Sequence, residues 1–152
     1  MAGSIITTQT LVHPGIDGLI GLGRGLRSIV KTSIVWTSDA GGAVSANTVT
    51  MPSGSVCSVH FIPSAGALAP TDLYDVTFTN EDGINLFDDG TGTSIGANLS
   101  ATVATLKVPF IAGSSSTFVR AWLVGGDYTP VVAAAGAANE GTIHIFQSLY
   151  PL

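Results

Sequence analysis

The sequence predicts an all-β fold, a two-sheet antiparallel β-sandwich with jelly-roll or Greek-key connections, and three observations carry that prediction. Short runs rich in Val, Ile, Thr and aromatic residues recur between clusters of Gly, Ser, Pro and Asn, which is the spacing of sandwiches and barrels. In the clearest runs apolar and polar residues alternate singly, so each strand has one face for a core and one for water. No stretch carries the periodicity of a long helix. At 152 residues the chain has the size of one domain and buries a core without cross-links.

The elements follow in chain order. Residues 5–12 form a first strand, and the Gly-rich stretch 13–25 follows it, so residues 1–26 are expected to be a strand plus an arm and residues 27–152 the sandwich. Residues 27–37 make the first strong strand, with Ile29, Lys31, Ser33 and Val35 on one face and Val30, Thr32, Ile34 and Trp36 toward the core. Ser38-Asp39-Ala40-Gly41-Gly42 has the residues of an Asx-turn and reverses the chain into a strand over 43–51. Residues 54–62 alternate Val56, Ser58, His60 and Ile62 against Cys57, Val59 and Phe61, and 63–70 read as a loop. Residues 72–80 set Tyr74, Val76 and Phe78 against Leu73, Asp75, Thr77 and Thr79, the pattern of an antiparallel strand with one wet face. Asp82-Gly83 is the pair of a type I′ hairpin turn. Leu86 and Phe87 end its return strand before a loop over 88–98. Strands over 101–111, 117–124, 131–135 and 142–149 bring the total to about nine.

Composition bounds the function. The chain is 45% hydrophobic but 10% charged, against roughly 25% charged in an ordinary soluble domain. A free monomer covers its surface with charges, and a bare sheet face finds another surface to pack on. Much of this surface is therefore expected to be covered in the working state. The longest stretch without charge, residues 40–71, is broken by Ser, Thr, Asn, Gly and Pro, which a membrane-spanning helix of about 20 residues does not tolerate. The first residues lack the basic and apolar regions of a secretory signal, so a cytoplasm is the expected place of synthesis. A net charge of −5 with five Lys and Arg argues against nucleic acid, since phosphate binding needs clustered cations.

Chemical motifs weigh little against their ordinary readings. Cys57 is the one cysteine, read as a small apolar side chain. Gly21-Leu22-Gly23-Arg24-Gly25 lacks the preceding strand, following helix and terminal Gly-Lys-Ser/Thr of a phosphate loop. Asp82 and Asp88-Asp89 lack the alternating oxygen ligands and closing carboxylate of a calcium loop. His13, His60 and His144 lie in three separate segments, without the spacing that brings two imidazoles to one ion. Asp72 and Asp75, three apart on one strand, point to opposite faces. Glu81 and Glu140 sit beside turns. No catalytic, metal or cofactor site is expected. Trp36, Tyr74, Phe78, Phe110, Phe118, Trp122 and Phe146 are core residues by default. Sugar stacking on Trp36 or Trp122 is the competing use, but the strands carry few of the amides and carboxylates that accompany such platforms.

Several stretches together carry a resemblance. They are Trp36-Thr37-Ser38-Asp39-Ala40-Gly41-Gly42-Ala43-Val44, the run over 70–84 that includes Tyr74-Asp75-Val76-Thr77-Phe78, Gly96-Ala97-Asn98-Leu99-Ser100, and residues 136–146. They resemble small virion proteins of tailed bacteriophages, of the capsid decoration or cement type. The resemblance covers most of the chain after Arg27, but not residues 147–152. It implies a non-enzymatic β-sandwich on the capsid exterior that bridges major capsid protein subunits and meets other copies of itself as a dimer or trimer, with no nucleic acid or membrane as partner. In the arm, Ile16, Leu19, Ile20, Leu22, Arg24 and Leu26 are the expected partner-binding residues, because a Gly-rich arm orders on contact with a neighbour. A phage tail or baseplate structural protein shares this composition, and a carbohydrate-binding adsorption module is the other alternative.

Overall fold

A computed structural model describes residues 3–13, 28–44, 47–88, 94–107, 110–112, 118–120 and 122–149. The described chain is all-β, with one short 3-10 turn and no α-helix among the described residues. Its strands are β1 (Ser4–His13), β2 (Ile29–Thr37), β3 (Val49–Met51), β4 (Gly54–Pro63), β5 (Asp75–Asn80), β6 (Thr105–Lys107), β7 (Phe110–Ala112), β8 (Phe118–Arg120), β9 (Trp122–Leu123), β10 (Gly126–Ala133) and β11 (Glu140–Leu149). The larger sheet runs β1-β2-β11-β4-β6, with β9 also paired to β4; the smaller runs β3-β10-β5; β7 and β8 pair with each other. Every pairing is antiparallel.

One hydrophobic core lies between the two sheets. The larger sheet contributes Ile34 and Trp36 from β2, Val56, Val59 and Phe61 from β4, and Ile143 and Ile145 from β11. The smaller contributes Val49 and Met51 from β3, Val76 and Phe78 from β5, and Tyr128 and Val132 from β10. Phe87 joins them: its ring meets Phe61 edge-on at 5.3 Å and stacks with Phe78 at 5.7 Å, and Phe78 stacks on Tyr128 at 5.0 Å. Burying each such side chain stabilises the fold by about 1.5–3 kcal/mol, so this aromatic chain is a principal tie between the layers.

The faces of β2 and β5 lie as the alternation predicts, with Thr32, Ile34 and Trp36 buried on one and Tyr74, Val76 and Phe78 leading inward on the other. β4 departs from simple alternation. Its pairing with β11 slips between Phe146 and Gln147, opposite Ser58 and Val56, and leaves Cys57 as the extra residue of a bulge. One inserted residue flips the parity of everything before it, so Val56 joins Val59 and Phe61 inside rather than Ser58 and His60 outside.

The hairpin after β5 is real but of another type. Gly83 N donates to Asn80 O at 3.0 Å and Asn80 N to Ile84 O at 3.0 Å. Gly83 has φ +80° while Asp82 does not have positive φ. That combination is a three-residue loop built on a type I turn with its left-handed residue at Gly83, since a type I′ turn needs two successive positive φ values.

β10 begins five residues before the expected strand and runs through Pro130. Val132 accepts a hydrogen bond from Val44 N at 3.0 Å, so Pro130, two residues earlier, turns the same edge toward the gap between Val44 and β3. The β3 ladder ends at Tyr128, and the missing N–H of proline costs no strand pairing there.

Candidate functional site

One surface is the outer face of the larger sheet, across which five strands are paired. Directly opposed residues of antiparallel strands share a face, and the registers assemble three rows across it. Ile6, Val35, Thr142 and Ile62 form one row; Thr8, Ser33, His144, His60 and Leu106 the next; Thr10, Lys31, Phe146 and Ser58 the third. Ile6 and Leu106 are more than half exposed, at 67% and 60%. No carboxylate occupies any of these positions. Glu140 is in line with them at the start of β11, four residues from His144, which along a strand is about 13 Å.

The centre of the face is a cluster that dispersed sequence positions hide. His60 on β4 lies directly opposite His144 on β11. Phe146 packs against both rings, at 4.8 Å from His60 and 6.3 Å from His144. Ser58 Oγ and His60 Nε2 are hydrogen-bonded at 3.2 Å. Burial, then Lys31, then His60 lower the pKa of His144 below its ordinary 6.5, so its neutral form prevails at neutral pH. Beside His60 a cavity of about 100 Å³ is lined by Ile62, Ala104, Thr105 and Leu106. The three histidines lie in separate segments without the sequence spacing that brings two imidazoles to one ion, yet the β4–β11 register sets two of them side by side. No local spacing carries this signal, because β4 and β11 are far apart in sequence and only their register pairs the two residues.

Ser58 and His60 make the contact that acyl-transfer enzymes use, but a triad also needs a carboxylate on the far ring nitrogen. Among the described residues, the neighbours of His60 on this face include Phe146, His144, Ile62 and Leu106, none of them a carboxylate. Asp72 and Asp75 serve structure: Asp72 accepts from Ala101 N at 3.0 Å and Asp75 from Asn98 N at 2.8 Å. They hold the same loop, since β5 starts only at Asp75 and Leu73 breaks the alternation with φ +64°. Asp39 closes its turn by accepting from Gly41 N at 2.8 Å and Ala43 N at 3.0 Å.

A second surface has the opposite character. Glu81, Asp82 and Asp127 surround a cavity of about 290 Å³ between the β5 hairpin and the start of β10, with exposed Ile84 and Val124 on its rim. Among the described residues no three His, Cys, Asp or Glu side chains converge as a metal site, and no helix is long and apolar enough to cross a membrane. Trp36 is buried at 1% exposure, which removes it as a sugar platform. The arm positions Ile16, Leu19, Ile20, Leu22, Arg24 and Leu26 lie outside the described residues, as does the side chain of Trp122.

Comparison with protein-family models, with curated proteins and with solved structures returned no match.

Proposed function

We propose that this chain is a non-enzymatic structural protein that works docked on other proteins, as a bacteriophage capsid decoration protein bound outside the head. The observation that carries the docking is the outer face of the larger sheet, an expanse of apolar and hydroxyl side chains around His60 and His144, with Lys31 as the charged residue within its three rows. Such a face has little to repel a protein surface and much to gain by burial. The head location comes from the resemblance of the turn and strand segments described above. A decoration protein that binds only the expanded shell stabilises it by mass action at many sites. On this reading the Gly-rich arm, residues 16–26, drapes along a capsid subunit while β1 stays in the larger sheet, and exposed strand edges add contacts between copies.

The test is to mix the purified chain with isolated heads of the phage that encodes it and to image the particles. Density outside the expanded shell, with the larger sheet facing inward, is the expected result. Density on the tail overturns the head assignment in favour of a tail or baseplate role; particles that bind no protein overturn docking altogether.

A further inference from the structure

We propose that His60 and His144 form a chelating site for a borderline divalent transition-metal ion, taking Cu²⁺ most tightly and Ni²⁺ and Zn²⁺ less so, with water in the remaining positions. Imidazole is the ligand that suits these ions, and the order is that of their general affinity for nitrogen donors. The two side chains stand directly opposite on adjacent antiparallel strands, where Cβ atoms are about 4.5–5.5 Å apart. Metal–nitrogen bonds of about 2.0–2.1 Å need the two nitrogens about 3 Å apart, a separation within reach of two imidazoles set on that base.

The backbone beneath them is fixed on both sides. β11 lies between β2 and β4, and β4 lies between β11 and β6, so the pair does not have to be assembled at a cost in loop order. Phe146 buttresses both rings. Ser58 engages Nε2 of His60, and when that nitrogen donates to the hydroxyl the lone pair resides on Nδ1, the arrangement by which outer hydrogen bonds orient metal-binding histidines.

The groups facing the pair are Ser33 and Lys31 on β2, Thr142 and Phe146 on β11, Ser58 and Ile62 on β4, and Leu106 on β6. Lys31 opposes a bound cation, and among the described residues no third protein ligand stands on this face. The site is therefore an exchangeable one, with open positions directed away from the sheet. It does not depend on the decoration reading.

The experiment uses the full chain, stripped with a chelator and titrated with CuCl₂, NiCl₂ and ZnCl₂ near neutral pH, where histidine is available as a neutral ligand. Calorimetry reads affinity and stoichiometry, and NMR of the ring nitrogens reads which histidines respond. One ion per chain is expected, with His60 and His144 affected before His13. His60→Asn and His144→Asn should each weaken binding roughly tenfold or more, since each leaves a single imidazole where two had acted together. Lys31→Met should tighten it by about two- to fivefold by removing a nearby like charge in screened solvent. Signals from His13 alone, unchanged affinity in either Asn variant, or no heat and no ring perturbation with all three metals would each overturn the site. The ring signals of the unsubstituted chain decide the question even where a variant misfolds.

Discussion

Thr32 brings a hydroxyl into the core that finds no hydrogen-bond partner, and Oε1 of Gln147 is in the same condition although its Nε2 donates to Pro52 O at 3.0 Å. A buried polar atom left unpaired carries its full desolvation cost. Thr32→Val keeps the shape and removes the hydroxyl, so it is expected to stabilise the protein by about 1 kcal/mol and to raise the melting temperature by roughly 2–4 °C. A calorimetric scan checks this, and a fall in melting temperature would show that the hydroxyl has a partner after all. Alternation along β2 places Thr32 inward from sequence alone; its lack of a partner depends on neighbours that sequence does not position. Asp39 offers a test of the opposite kind. Hydrogen bonds from Ala43 and then Gly41 lower its pKa below the ordinary 3.8. A carboxylate with a depressed folded pKa contributes stability above its unfolded pKa, and that contribution is lost as pH falls through the folded value. Asp39→Asn is therefore expected to lower the urea midpoint near neutrality and to converge with the unsubstituted protein once pH falls through the lowered folded pKa of Asp39. A gap that persists in acid would assign the loss to geometry rather than to charge. This turn was legible because Asp followed two residues later by Gly is local chemistry.

Strand identity was legible wherever a strand is long and alternating, as in β2, β5 and β11, and much less so where it is short. The run expected over 101–111 contains two three-residue strands, β6 and β7, joined through positions outside the described residues. Three-residue strands are held by their neighbours, and their own sequence carries little periodicity. The expected strand over 43–51 likewise reduces to a bridge at Val44 and the short β3. Close packing between strands is equally hidden in a sequence. Gly141 on β11 lies opposite Trp36 on β2, and a Cβ at Gly141 would run into the indole ring. Both positions are buried, so the ring has no open side to move into. Gly141→Ala is expected to destabilise the protein by about 1–3 kcal/mol through forced displacement of Trp36. Urea unfolding followed by tryptophan fluorescence measures the cost, and an unchanged midpoint would mean that the ring moves aside freely.

At the scale of the whole molecule, the described residues put acids and Lys31 on two different surfaces. Glu81, Asp82 and Asp127 gather beside the smaller sheet, whereas the three central rows of the larger sheet hold Lys31, two histidines and no acid. The scarcity of charge was plain in the composition, but its distribution required the register, because residues far apart in sequence make up each row. This asymmetry gives the proposed docking a direction that a substitution on each sheet separates. Ser33→Glu places a carboxylate in the central row, beside His144 and Thr8, where burial against a partner would strand an unpaired charge. Thr77→Glu places one on β5, opposite Val131 in the smaller sheet. Head occupancy is expected to fall at least about tenfold for Ser33→Glu and to change little for Thr77→Glu, because a desolvated lone charge costs several kcal/mol and a solvated one almost nothing. The first substitution carries its own control. A carboxylate beside His144 favours the imidazolium, so the His144 pKa should rise from its lowered position, and an NMR titration of the free protein shows whether the new group faces the ring. If that pKa rises while head occupancy stays unchanged, the charge is on the outer face and the outer face is not the docking surface.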